Sequence, residues 1–222
     1  MTCGLMNNTA REAILGSIRS HLAASVPYDR QEVVRHENPV NPVKLSSDIK
    51  PVELFRQSLE AVDGHCVIVQ GDNEIAQALT GIIRAQRIAI SDNPEVERLL
   101  QLTDLEIEEL GIVPNAHDIF RFDVGISTVQ AAIAETGTLV LDSTLERHRL
   151  VSLVPPVHIA IVRASQIYRT LSEVLSLIRK DKEISPAVTF ITGPSRTADI
   201  ELTLAIGVHG PQELYVIIDE VN

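Results

Sequence analysis

From Asp48 onward, short apolar runs alternate with amphipathic stretches of helical length, and this alternation constrains the fold more than any other feature of the chain. The spacing predicts a helix over Val52–Val62, a strand over His65–Gln70, a helix over Glu74–Ala85, a strand over Arg87–Ser91 and a further helix from Pro94. Such a succession demands parallel strands with crossover helices, because parallel neighbours cannot be joined by a tight turn. Leu105–Val113 fits either a helix or a strand. Strand-like segments follow around Val124–Ser127, Ala131–Ala134 and Thr138–Asp142, with Glu135-Thr136-Gly137 breaking the last two, so the sheet gains antiparallel neighbours here. His158–Val162 is a further strand, and Ser165–Lys180 reads as a helix with Leu171, Val174, Leu175 and Ile178 inward. Val188–Thr192 and Leu214–Asp219 are the last strands. The expected fold is a single α/β domain with a mixed, largely parallel sheet flanked by helices. Aromatic residues make up 3% of the chain and Trp is absent, so its core must be aliphatic.

Ahead of this domain, Thr9 and Glu12 have capping-box spacing, and Ile14, Leu15, Ile18 and Leu22 recur at helical intervals, which predicts an amphipathic helix over Thr9–Ala24. Ser25–Ser47 carries Pro27, Pro39 and Pro42 without a sustained period and reads as an extended connector. The expected organisation is residues 1–47 as an N-terminal helical arm and connector, and 48–222 as the α/β domain. The stripe on the arm packs either on its own domain or on a partner subunit.

The formal net charge of −11 disfavours nonspecific nucleic-acid binding, whose affinity comes from cations meeting phosphates. It also repels small anions at long range, so an anion site needs local Arg density. No apolar run reaches membrane-spanning length, and Arg11, Glu12 and Arg19 stand where a signal peptide has its apolar region, so a cytoplasmic protein without a membrane span is expected. Cys3 and Cys66 are the two cysteines, too few for the four ligands an iron–sulphur cluster usually takes. His65, His117, His158 and His209 show no metal-ligand spacing, so no metal site is expected. Walker A and GxGxxG strings are also absent.

The run Thr189–Pro211, TFITGPSRTADIELTLAIGVHGP, sets an apolar strand against a loop equipped to hold an anion. Gly193-Pro194 stops the strand. Ser195, Arg196, Thr197 and Asp199 then arrive in one turn, offering hydroxyls, backbone N–H groups and a planar guanidinium that can fork onto a carboxylate or phosphate. Gly207 and Gly210 bracket His209, and such glycines let backbone approach a ligand closely.

Three blocks, DVGISTVQAAIAETGTLVLDS (Asp123–Ser143), RLVSLVPPVHIAIV (Arg149–Val162) and the GPSRTADIE and GVHGP strings, resemble the lactate-utilisation (LUD) domain family, its lactate utilisation protein C branch in particular. They fall in the family's order across the second half of the chain; before about residue 120 the resemblance is one of layout. The resemblance implies a fold like that of the sugar-phosphate isomerases and coenzyme A transferases. It also implies a place in a cytoplasmic system that oxidises L-lactate to pyruvate, with iron–sulphur clusters on partner subunits and a small carboxylate as ligand. Two further readings stay open: a non-redox enzyme acting on a small phosphorylated or acyl substrate through Glu135 and Arg196, and a noncatalytic ligand-binding or scaffold subunit.

Each candidate residue has two roles open to it. Glu135, in its tight turn, is a general base or nucleophile, or else accepts backbone N–H bonds that fix a hairpin. His209 transfers a proton or bonds its own loop. Arg196, with Ser195, Thr197 and Gly193, binds the anion, or pairs internally with Asp199 or Glu201. Arg147, His148 and Arg149 form a solvated basic surface or a carboxylate clamp, with Arg149 favoured because it alone lies in a family block. Loops that follow parallel strands are expected to converge on a cleft at the strands' carboxyl ends.

Overall fold

The computed structural model describes residues 6–24, 48–84, 87–107, 109–111, 118–143, 149–180, 187–198, 204–206 and 210–221. Met1–Val43 and Lys44–Asn222 form two compact units. The first holds helix α1 (Met6–Ala24). Because α1 begins at Met6, Thr9 lies inside the helix rather than capping it. Ile14, Ile18 and Leu22 form an exposed apolar stripe along it.

In the second unit α2 (Pro51–Glu60) starts with Pro at its first turn, where a missing N–H costs nothing. It is followed by β1 (His65–Val69), α3 (Asp72–Ile82), β2 (Arg87–Ile90), α4 (Pro94–Leu100) and β3 (Glu109–Gly111). The last resolves the ambiguous stretch as a strand beside β2. Asn93 caps α4, its side-chain oxygen accepting the Glu95 N–H at 3.0 Å. Next come β4 (Val124–Thr128), β5 (Ala131–Ile133), β6 (Thr138–Asp142), α5 (Leu150–Leu153), β7 (Val157–Arg163), β8 (Ile167–Tyr168), α6 (Leu171–Lys180), β9 (Val188–Thr192), β10 (Arg196–Ala198), β11 (Leu204–Ile206) and β12 (Glu213–Asp219).

Six strands form an all-parallel sheet in the order β1-β12-β7-β4-β2-β3. A second sheet, β8-β5-β6-β9, pairs antiparallel at β5-β6 and β6-β9 and parallel at β8-β5, and β10 and β11 form a separate antiparallel pair, so the mixed, largely parallel character is divided among sheets. Alternation along the central strands sorts the core. Ile159, Ile161 and Ile217 meet Ile75 and Leu79 of α3 and Val96 and Leu99 of α4 on one face. Ala160, Val162, Val216 and Ile218 meet Phe55 and Leu59 of α2 and Leu139 and Leu141 of the second sheet on the other.

Two expected elements differ. The helix over Ser165–Lys180 begins only at Leu171, because a 3₁₀ turn and β8 precede it. Ile167 and Tyr168 are drawn into pairing with Ala132 and Ile133, and the Ala134 and Glu135 N–H groups bond to the carbonyls of Tyr168 and Arg169. Of the expected inward stripe, Val174 is fully buried and Ile178 packs beside it, while Leu171 and Leu175 are exposed, since the short β5 offers little face to cover. The turn expected from Ser195 is instead the start of a hairpin, with Arg196–Ala198 pairing antiparallel to Leu204–Ile206.

Two glycines fix how α2 seats on the second sheet. Gly137 (φ 61°) and Gly193 (φ 72°) both occupy left-handed backbone. A Cβ at Gly137 would stand 2.4 Å from the Leu59 nitrogen, and one at Gly193 would stand 2.6 Å from the Val62 oxygen. The β5–β6 turn and the end of β9 therefore both lie directly against the end of α2.

Candidate functional site

β9 belongs to the second sheet, so the loop that leaves it opens beside the amino ends of β7 and β12 rather than at the carboxyl ends of the parallel strands. There Gly193, Ser195 and Arg196 line a cavity of about 310 Å³ together with Ser152, His158 and Gly210. The loop expected to hold an anion thus lies at the other end of the strands from the expected cleft, and the cavity brings residues of the GPSR and RLVSLVPPVHI strings together with Gly210 and Pro211, far apart in sequence.

The loop is held from several sides. The Ser195 N–H donates to the Pro211 carbonyl at 2.8 Å. A Cβ on Gly210 would stand 3.0 Å from that of Ser195, so only glycine allows this approach without displacement. The Arg196 guanidinium donates through Nη2 to the carboxylate of Asp63, which itself sits in left-handed backbone at φ 62°. Arg196 thus has an internal acidic partner, on the turn after α2. Asp63 is 73% exposed and Arg196 35%, so solvent screens the pair and a second anion can approach the guanidinium. On its other side Arg196 borders a more open hollow of about 760 Å³ with Asp63, His65 and Tyr215, the last two stacked at 4.6 Å between ring centres.

The polar floor of the cavity comes from residues of the recognised blocks to which the sequence alone assigns no ligand. β7 carries His158 into the interior, fully buried, where its Nε2 lies 2.9 Å from the Ser127 hydroxyl of β4. Burial alone pushes its imidazole down to about 3, so it is neutral at physiological pH. Gly125, opposite His158 on β4, lets α5 press onto the sheet: a Cβ there would stand 1.9 Å from the Val151 carbonyl oxygen. α5 in turn sets Ser152 at the cavity wall, its N–H and hydroxyl both donating to the Arg149 carbonyl. Thr192, the last residue of β9, also lines the cavity and shares a hydroxyl contact of 2.7 Å with Thr138.

Other expected residues fall elsewhere. Glu135 does not line the cavity; its carboxylate accepts the Leu171 N–H at 2.7 Å, at the start of α6 rather than within its own turn. Arg149 is exposed at the N-cap of α5 and contributes its carbonyl rather than its guanidinium to the local structure. Thr197 lies in β10 opposite Ala205. His209, Gly207, Arg147, His148, His117, Asp199 and Glu201 lie outside the described residues.

At the carboxyl ends of the parallel strands there is a second cleft of about 620 Å³, between the loops after β2 and β4, the point where the strand order reverses. Asp92, Asn93, Glu95, Gln130, Asp142 and Arg163 supply its polar lining. Arg163 donates to Glu95 at 2.8 Å and Asn93 to Thr128 at 2.9 Å, so these groups largely satisfy one another. Among the described residues no helix is long and apolar enough to cross a membrane.

The LUD domain profile matches residues 114–218. A lactate utilisation protein C from Macrococcus caseolyticus is 30% identical, over 99% of this chain and 100% of the relative. Another, from Shouchella clausii, is 37% identical over 80% of this chain and 76% of the relative. The crystal structure of a DUF162 family protein from Deinococcus radiodurans shares the fold, with a TM-score of 0.60 and 22% identity over 77% of this chain and 96% of that one.

Proposed function

This chain belongs to the LUD domain family, and from that premise we propose that it serves a system oxidising L-lactate to pyruvate by binding the small carboxylate and by assembling with redox subunits. The relatives named for lactate utilisation support a role in that process. One observation carries the reading further: family strings separated by up to about sixty residues close around one small cavity with Arg196 at its rim. A cavity of about 310 Å³ is at the lower end of small-ligand sites, the right scale for a three-carbon acid. Arg196 supplies planar donors to a carboxylate, Ser195 a hydroxyl, and the glycines at 193 and 210 bring backbone close.

Converting lactate to pyruvate breaks the C2–H and O–H bonds and releases two electrons and two protons. No ordinary side chain accepts those electrons, so a redox group must take them. This chain's thiols do not fit an iron–sulphur cluster. Cys3 and the half-buried Cys66 are its two cysteines, short of the four ligands such a cluster usually takes. Iron–sulphur partner subunits therefore carry the electrons in this reading. The non-redox alternative needs Glu135 and Arg196 to act on one substrate, and among the described residues Glu135 lines neither of the two cavities that Arg196 borders.

Affinity purification of the tagged chain from its source cells, followed by identification of partners and an absorption spectrum, tests the assembly. Iron–sulphur subunits with their visible absorption should co-purify. Recovery of the chain alone and colourless, from cells growing on L-lactate, would contradict it.

A further inference from the structure

His158 is fully buried, lines the small cavity and has one ring nitrogen committed to Ser127, while its Nδ1 has no hydrogen-bond partner among the described residues. Buried polar atoms in folded proteins are nearly always paired, and an orphan at a cavity wall marks a place where something else supplies the partner. The strand context makes the orphan costly: Ala160 and Val162 follow His158 on the same face of β7, and Leu214 stands opposite it on β12, an apolar surrounding in which an unmet nitrogen is destabilising. The Ser127 contact fixes the ring's orientation. The hydroxyl either donates to Nε2 or accepts from it, so Nδ1 is correspondingly a donor or an acceptor.

We propose that His158 is a ligand-contacting residue of this cavity, its Nδ1 bonding the oxygen at C2 of a small 2-hydroxy or 2-oxo acid whose carboxylate is held on the Arg196 side. This rests on the carboxylate reading of the cavity given above and adds to it the group that discriminates lactate and pyruvate from a plain carboxylic acid. A neutral imidazole suits the task, because it recognises a neutral oxygen without competing for the carboxylate. A site built to pair such an oxygen disfavours the analogue that lacks it, since the buried nitrogen is then left unpaired.

The test uses the full chain labelled with ¹⁵N-histidine and three probes: L-lactate, pyruvate and propionate, the last lacking oxygen at C2. The His158 signals are assigned by their absence in His158→Leu, which removes every polar atom of the side chain. The two oxygenated acids should bind about tenfold or more tightly than propionate and shift the Nδ1 signal. His158→Leu should lose that preference. Equal binding of all three acids with an unmoved Nδ1 signal would overturn the role of His158 and leave the Arg196 carboxylate site standing, as would a preference that survives in His158→Leu. Binding of none of the three would overturn both. Because the wild-type signal shift is read without any variant, the test stands even where His158→Leu folds poorly.

Discussion

Acid should destabilise this protein through His158 in a way that one substitution removes. The imidazole is fully buried and its folded-state pKa falls from 6.5 to about 3, with burial as the cause. In the unfolded chain the same group titrates near its ordinary value. Above about pH 6.5 both states are neutral at this position and its contribution is complete. As pH falls below 6.5 the unfolded state takes up a proton that the folded state refuses, and stability drops by up to about 1.4 kcal/mol per pH unit until the folded group titrates near 3. Between pH 7 and pH 5 the loss from this residue is about 2 kcal/mol. Denaturant unfolding of the wild type and of His158→Asn at both pH values isolates it, because the other titrating groups are shared and cancel in the double difference. The variant is less stable at both values, yet its drop on acidification should be smaller than the wild type's by about 2 kcal/mol. An equal drop in the two proteins would mean that His158 protonates in the folded state and that the cavity floor is wet and open.

Three further outcomes are expected. Gly125→Ala should destabilise by about 3 kcal/mol or more in thermal or denaturant unfolding, since the new Cβ meets a backbone carbonyl of α5 at 1.9 Å and has no flexible group to push aside; an unchanged melting temperature would refute the close seating of α5. Asp63→Asn, which keeps a residue tolerant of left-handed backbone, should alter stability by less than about 1 kcal/mol while raising L-lactate affinity several-fold by freeing Arg196; weaker binding in calorimetry would show that Asp63 positions the guanidinium instead. Removing residues 2–47 should leave cooperative unfolding intact, because every described strand lies in the unit Lys44–Asn222; a broad, noncooperative melt would show that the arm completes the core.

What the sequence reveals about this fold depends on segment length. β6 and β9 stand where their β-branched runs and flanking glycines place them. β8, with two residues, is too short to carry a period, and the helical spacing after it runs on through it. β10 and β11 exist because they pair with each other, and the polar Arg-Thr string of β10 has no strand signature of its own. In the site, the composition of the Gly193–Arg196 loop already points to an anion. The partner of Arg196 lies 133 positions away on the turn after α2, and nothing local announces it. His158 stands in an apolar strand run, where one polar residue is visible in sequence but its orphaned nitrogen and the cavity beside it arise only when β4, β7 and β9 assemble.

In the proposed role this chain is required for L-lactate oxidation, and Arg196 takes part in it. The direct measurement is L-lactate-dependent dye reduction in extracts of source cells lacking the chain, restored with purified wild type, Arg196→Lys or Arg196→Ala. Wild type should restore turnover. Both variants should fall short by about tenfold or more with melting temperatures unchanged, because Lys keeps the charge and loses the planar fork. Full L-lactate oxidation in the extract without the chain would contradict that role, and full restoration by Arg196→Lys would rule out bidentate recognition by Arg196.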